Sequence, residues 1–273
     1  MMEDAGEFLL DLFPGAAFAL SLRKLSTPAL LSVRVRRSSD DDEKDIGFVG
    51  PNLDSITLLD FCGGGDGLVV KWYDQSGNNR NATNLIKVEQ QPIVISGVVQ
   101  LCNGKPAVKG TVATTGYPTG FTGLSEKSSF SVACVTPAIP PSVVSRIVTS
   151  YSGAGPALDE LALSYIETSN QLLFADGGVV VSIVAPSSQL LIFIRKTSLG
   201  SLGLGFNGGS LVTGAGNTNV NTNSYEIMEE GGGGGATGIE VPEYMQEEIM
   251  YPTDRESDRA AIEADMNGFY GAY

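Results

Sequence analysis

In the stretch Leu68-Val69-Val70-Lys71-Trp72-Tyr73-Asp74-Gln75-Ser76-Gly77-Asn78-Asn79, Leu68, Val70 and Trp72 alternate with Val69, Lys71 and Tyr73 before a run of turn-forming residues. Alternation with period 2 places the two sets of side chains on opposite faces of a β-strand. Asp, Ser, Gly and Asn supply the side-chain acceptors and backbone angles that reverse a chain. A strand running into a structured turn is predicted here, and the same pattern recurs on both sides of it.

Upstream, Phe18, Leu20 and Leu22 alternate with Ala19, Ser21 and Arg23, which predicts a half-buried strand over 17–23. Val33 and Val35 alternate with Arg34 and Arg36, and that strand closes in the acidic run Asp40 to Glu43. A short helix is predicted between Asp54 as cap and Gly63 to Gly65 as stop. Downstream, extended runs over 93–95 and 98–102 lead to Asn103-Gly104, the pair that best tolerates the two positive φ angles of a type I′ hairpin turn. Further short apolar runs follow over 130–135, 145–150, 161–166, 171–174, 179–184 and 190–195, and a hairpin is predicted around Asn207-Gly208. Short strands with few helices between them imply antiparallel sheets packed face to face. The expected fold is all-β, an antiparallel jelly-roll sandwich over 17–273, with an amino-terminal arm over 1–16. Five glycines, Gly231 to Gly235, predict an exposed mobile loop tip. A final strand from Met245 to Tyr251 precedes a change of period. Ile262, Met266, Phe269 and Tyr270 form one apolar stripe, and Thr253-Asp254-Arg255-Glu256 fits a capping box, so a helix of about four turns is expected on the sandwich edge.

Composition bounds the chemistry. The 17 Lys and Arg stand against 31 Asp and Glu, a formal charge of −14, the wrong sign for neutralising nucleic-acid phosphates. With no histidine the chain cannot build a Ser-His-Asp or Cys-His pair or the usual zinc site, so catalysis would have to rest on carboxylates. Cys62, Cys102 and Cys134 have neither metal nor disulfide spacing and read as small apolar residues. The 34 glycines, beside 42% hydrophobic and 18% charged residues, signal turns rather than disorder. The apolar stretch Phe8 to Leu22 follows Glu3, Asp4 and Glu7 and is interrupted by Asp11 and Pro14, so it is neither a secretory signal nor a membrane span. The expectation is a soluble chain made in a cytoplasm, with no cofactor, no metal, no nucleic-acid partner and no membrane.

Each candidate motif has two readings. Trp72, Tyr73, Asp74 and Gln75 combine the only tryptophan with a polar turn and are the candidate ligand residues, an aromatic face for a sugar ring with Asp and Gln for its hydroxyls. The alternative puts Trp72 in the core with Leu68 and Val70, and turns Asp74 and Gln75 onto loop backbone. Gly203-Leu204-Gly205-Phe206-Asn207-Gly208 matches a dinucleotide fingerprint but is not followed by a helix, so it reads as a hairpin. The carboxylates of 40–45 are read as a solvated turn pairing with Arg34, Arg36 and Arg37 rather than as a calcium site. A glycosidase needs two facing carboxylates, and Glu226, Glu229, Glu230, Glu240 and Glu243 lie near the Gly-rich loops. Phe8, Leu9, Leu12 and Phe13 form an apolar cluster ahead of the first strand, read either as an attachment surface for another protein or a sister subunit, or as cover for the sandwich's own core.

Leu9-Leu10-Asp11, Ser21-Leu22-Arg23-Lys24-Leu25, Val33-Arg34-Val35-Arg36-Arg37, Asp45-Ile46-Gly47-Phe48, Trp72-Tyr73-Asp74-Gln75-Ser76-Gly77-Asn78, Asn103-Gly104-Lys105-Pro106-Ala107 and Gln246-Glu247-Glu248-Ile249-Met250-Tyr251-Pro252 together resemble a domain of tailed-bacteriophage structural proteins. Such domains are similar to concanavalin A-like (laminin G-like) jelly rolls and occur in head and tail fibres, decoration proteins and adhesins. The resemblance implies a virion protein assembled in the host cytoplasm, in contact with capsid, neck or tail proteins, forming a homo-oligomer and meeting host-surface polysaccharide. The first half is also similar to the catalytic domain of arabinofuranosidase B, which shares the arginine-rich strand and the Tyr-Asp-Gln-Ser-Gly turn. That family carries an adjacent cysteine pair and an Asp-Tyr-Gly-Asn-Ala-Glu segment, both absent here. The expectation is therefore a structural or binding protein without catalytic residues. A glycoside hydrolase of arabinofuranosidase type and a non-catalytic carbohydrate-binding module are the alternatives.

Overall fold

Alternating apolar residues and positive-φ turns build three large, mainly antiparallel sheets and two two-stranded ones among the described residues of a computed structural model of the chain. It describes residues 7–111, 116–121, 130–136, 144–150, 161–166, 171–176, 179–184, 189–197, 200–216, 225–227, 239–240 and 244–273. The first sheet runs Phe18–Ser21, Glu247–Tyr251, Phe130–Thr136, Leu190–Lys196, Ser201–Phe206, Val212–Ala215, so the first and last long strands are neighbours, with Phe18 opposite Met250 and Ser21 opposite Glu247. The second runs Asn52–Leu53, Glu43–Val49, Leu31–Arg37, Gly67–Trp72, Pro92–Ile95, Val98–Val99. The third joins Tyr117–Pro118, Tyr225–Ile227, Val144–Ser150, Leu161–Ile166, Gln171–Asp176 and Val179–Val184. Phe18 and Leu20, Val33, Val35, Val69 and Trp72, and Leu172 and Phe174 bring all three into one buried cluster. The fold is a β-sandwich with a short carboxyl-terminal helix, as the alternation predicts.

Strand Phe18–Ser21 departs from the half-buried expectation, because both its faces are buried. Phe18 and Leu20 enter the main core, whereas Ala19 enters a second cluster with Leu9, Leu10, Leu25, Phe193, Ile249, Tyr251, Ile262, Met266 and Tyr270. Helix Arg259–Tyr270 and the amino-terminal segment thus cover the outer face of the first sheet. Ile262 and Met266 are fully buried, each worth roughly 1.5–3 kcal/mol over an exposed side chain.

The helix starts later than its sequence suggests. Asp258 is the cap residue, and Asp254, placed in a capping box above, instead accepts from the Glu256 amide at 3.0 Å and pairs with Arg195 at 2.8 Å. Glu256, the side chain a capping box would turn back onto Thr253, pairs instead with Arg195 at 2.8 Å. At the other end Gly271 takes the left-handed conformation (φ 61°), and Asn103 donates Nδ2 to the carbonyls of Tyr270 and Gly271. Asn103-Gly104 (φ 48°, 73°) and Asn207-Gly208 (φ 49°, 70°) are both the expected hairpin turns, so the glycine fingerprint lies on a strand and its turn. The shorter helix Ser55–Cys62 is capped as expected, the Thr57 amide donating to Asp54 Oδ1 at 3.0 Å.

The acidic turn pairs with the arginine strand: Arg34 with Asp45, Arg36 with Asp41, and Arg37 with Asp40 and Asp42. Glu229, Glu230, Glu243 and the tip 231–235 lie outside the described residues, and of Glu226 and Glu240 the structure gives only the strand position.

Candidate functional site

The turn after strand Gly67–Trp72 closes on the molecule itself. Trp72 is 1% exposed, packed in the main core, and its Nε1 has no hydrogen-bond partner among the described residues. The Asp74 carboxylate accepts from the amides of Ala19, Ser76 and Arg80 and from the Ser76 hydroxyl, all at 2.9–3.0 Å. Gln75, 4% exposed, accepts at Oε1 from the Leu25 amide and donates Nε2 to the carbonyls of Ser21 and Arg23. Asn78 and Arg80 add donors to the carbonyl of Ala17. These bonds tie the turn to the edge of strand Phe18–Ser21 and replace the ladder partner that an edge strand lacks.

Trp72 shows no face to solvent because the main core packs around it, so it is not the expected aromatic platform for a sugar. The polar atoms of Asp74 and Gln75 bond chiefly to backbone groups of the neighbouring strand and turn. Tyr73 and Asp74 keep partly open positions, and with Gln75, Leu30, Asn79 and Asn81 they line a cleft of about 270 Å³. The Tyr73 hydroxyl donates to Asp45 Oδ1 at 2.7 Å. Burial and then the Asp45 carboxylate push the Tyr73 phenol up to about 12. The Arg34 hydrogen bond, outweighing partial burial and supported by Tyr73, holds the Asp45 carboxyl below its usual range.

The amino-terminal cluster is also divided. Leu9 is 1% exposed and docks in the second core cluster, Phe13 packs against that cluster half-buried, Phe8 is half-buried, and Leu12 is exposed. Leu9 and Leu10 therefore cover the sandwich's own core, and the described part of the arm is continuous with the sandwich. Tyr251 donates its hydroxyl to the Phe13 carbonyl, and the Thr27 amide and hydroxyl donate to Asp11, which fix the segment in place.

A second, larger cleft of about 680 Å³ opens beside the segment 23–30. Its floor is a buried ion network. Arg23 donates Nε and Nη2 to the two oxygens of Glu247 (2.7 and 3.0 Å), and its Nη1 meets Asp265 Oδ1 at 2.6 Å. Glu247 also accepts from Ser21 Oγ at 2.7 Å and Tyr270 Oη at 3.1 Å. Burial alone would lower the Arg23 pKa, and the Glu247 carboxylate reverses this and holds the guanidinium above its ordinary value. Burial and Glu247 likewise push the Tyr270 phenol up. The network joins the first strand, the last strand and the helix. A buried pair is kept in place by the cost of parting it, because either ion alone would be buried without compensation. Phe8, Lys24, Phe48 and Phe269 line the walls, with the Lys24 ammonium 5.2 Å from the Phe8 ring centre. Sequence reasoning did not find this cleft. The one local signal is Asp265 and Phe269, a carboxylate and an aromatic ring one helical turn apart on one face.

No family model and no curated protein matches the sequence. In three dimensions the chain is similar to a GH54 α-L-arabinofuranosidase soaked with a cyclic sulfate inhibitor, with TM-score 0.66 at 16% identity over 94% of this chain and 63% of that one. It is equally similar to an arabinofuranosidase in complex with arabinofuranosyl-α-1,2-xylobiose, with TM-score 0.65, 16% identity and the same coverage. The chain thus spans 63% of the length of these structures, and at this identity the likeness establishes the β-sandwich fold.

The expectation of a non-enzymatic chain is overturned by these matches. It rested on the missing histidine and the missing adjacent-cysteine segment, yet the fold that superposes on 94% of the chain is one found in glycoside hydrolases. Their chemistry runs on paired carboxylates and needs no imidazole. The arabinofuranosidase side of the sequence resemblance has its counterpart in the fold, whereas nothing in these matches indicates a bacteriophage protein.

Proposed function

We propose that the chain is glycan-directed, an arabinofuranosidase-type sandwich that takes pentose-containing oligosaccharide. The observation that supports this reading most strongly is the superposition of 94% of the chain on arabinofuranosidase structures, one of them holding an arabinofuranosyl-xylobiose. Cleavage of an α-arabinofuranosyl linkage is the activity to assay first. The purified chain, incubated with 4-nitrophenyl α-L-arabinofuranoside and with arabinoxylan, is expected to release nitrophenol or arabinose, or to be retained on the polysaccharide. Neither turnover nor retention would contradict the reading.

A second reading rests on the motifs from Leu9-Leu10-Asp11 to Tyr251-Pro252 that resemble bacteriophage structural domains. In that setting the sandwich is displayed on a particle, beside other virion proteins and as a homo-oligomer, and its glycan is host-surface polysaccharide. Antibody labelling of particles from the source culture tests it: decorated virions support it, and label confined to unassembled protein contradicts it.

A further inference from the structure

The cleft of about 680 Å³ carries both kinds of surface that a saccharide uses. Phe8 from the amino-terminal segment, Phe48 from strand Glu43–Val49 and Phe269 from helix Arg259–Tyr270 all line it, and each is half-buried. Lys105 and Arg23 stand 4.1 and 5.3 Å from the Phe269 ring centre and Lys24 stands 5.2 Å from that of Phe8, which leaves Phe48 as the wall ring that offers an apolar face to the C–H side of a sugar. The charged groups in the same lining are Glu7, Arg23, Lys24 and Asp265, two of each sign. Glu247 pairs with Arg23 from beneath, so lining and floor together carry one net negative charge, which repels an anion and gives a cation only a solvent-screened attraction. A neutral ligand rich in hydroxyls does gain, because each hydroxyl both donates to a carboxylate and accepts from an ammonium, and hydrogen bonds to charged groups are the strong ones.

The geometry also shows which carboxylate oxygen is presented. Asp265 Oδ1 is buried against Arg23 Nη1, and the side chain is 28% exposed, so the open acceptor is Oδ2. Arg23 is itself locked onto both oxygens of Glu247, and Asp265 is therefore oriented before any ligand arrives. The volume lies inside the roughly 300–1,000 Å³ range of small-molecule sites.

We propose that this cleft is a binding subsite for a neutral oligosaccharide, with Asp265 and Lys24 taking hydroxyls and Phe48 supporting a ring face. It rests on the glycan-directed reading and gives that reading a location. Calorimetric titration of the full chain with xylotetraose, arabinotriose and maltotriose, with sialyllactose and a chitosan oligomer as charged controls, tests it. The expected result is uptake of at least one neutral sugar in preference to both controls. Phe48→Ala, outside the ion network, should weaken that uptake about tenfold while the protein stays folded, with only a small shift of the thermal midpoint. Ala29→Trp, which fills the cleft from a loop, should abolish it. Unchanged affinity in both variants would overturn the subsite alone, since sugar is then held elsewhere. Preference for a charged control would overturn the charge argument and the subsite with it, and a wild-type chain that takes up no saccharide and cleaves none would overturn both proposals.

Discussion

The turn at 72–81 and the cleft beside the segment 23–30 are both rich in polar side chains and use them in opposite directions. Asp74 and Gln75 spend their polar atoms mainly on backbone groups of the neighbouring strand and turn. Asp265 and Lys24 stand at an opening whose floor, Arg23 on Glu247, is the part that is fully bonded. A cluster of polar residues in one short stretch is therefore poor evidence of a ligand site, since such a stretch can satisfy itself. A site for a ligand needs polar atoms that the fold holds still but leaves open.

Perturbing the two regions should separate stability from binding. The largest effect is expected at the cleft floor. Glu247→Gln leaves the buried Arg23 guanidinium short of a counter-ion and should cost about 3–5 kcal/mol in urea unfolding. Next comes the turn, where Gln75→Ala removes three buried hydrogen bonds and should cost about 2–4 kcal/mol. Saccharide affinity of the folded fraction should not change. A Gln75→Ala protein that is fully stable but has lost sugar binding would invert the comparison.

A smaller effect is expected at the boundary of the turn. The Tyr73 phenol has its folded value raised to about 12 above an unfolded value of about 10, so its contribution is intact below about pH 10 and is lost as pH rises towards about 12. Tyr73→Phe should flatten that alkaline loss when urea midpoints are compared at about pH 9 and about pH 11, and an unchanged slope would show that folding does not raise the Tyr73 phenol. Smallest of all is the stability effect of Phe48→Ala at the cleft wall, below about 1 kcal/mol because the ring is only half-buried.

The fold was largely legible because its signals are local. Alternation in Val33-Arg34-Val35-Arg36 and in Leu68 to Trp72, and positive-φ pairs at Asn103-Gly104 and Asn207-Gly208, each act within a few residues. Where the sequence misled, a distant element had intervened. Strand Phe18–Ser21 looks half-buried until helix Arg259–Tyr270 covers Ala19 and Ser21 from the far end of the chain. The cleft was invisible for the same reason: Phe8, Arg23, Phe48 and Asp265 share no pattern until the first and last strands pair. The turn's inward bonding was one of two readings open from sequence, and burial of Trp72 decided between them.

Amide NMR shift mapping during titration with xylotetraose and arabinotriose tests the central claim most directly. Shifts should concentrate at residues 23–30, 48–51 and 265–269, with the amides of 74–78 unmoved. Shifts centred on 74–78, or a saturating titration that leaves the cleft residues unmoved, would contradict it.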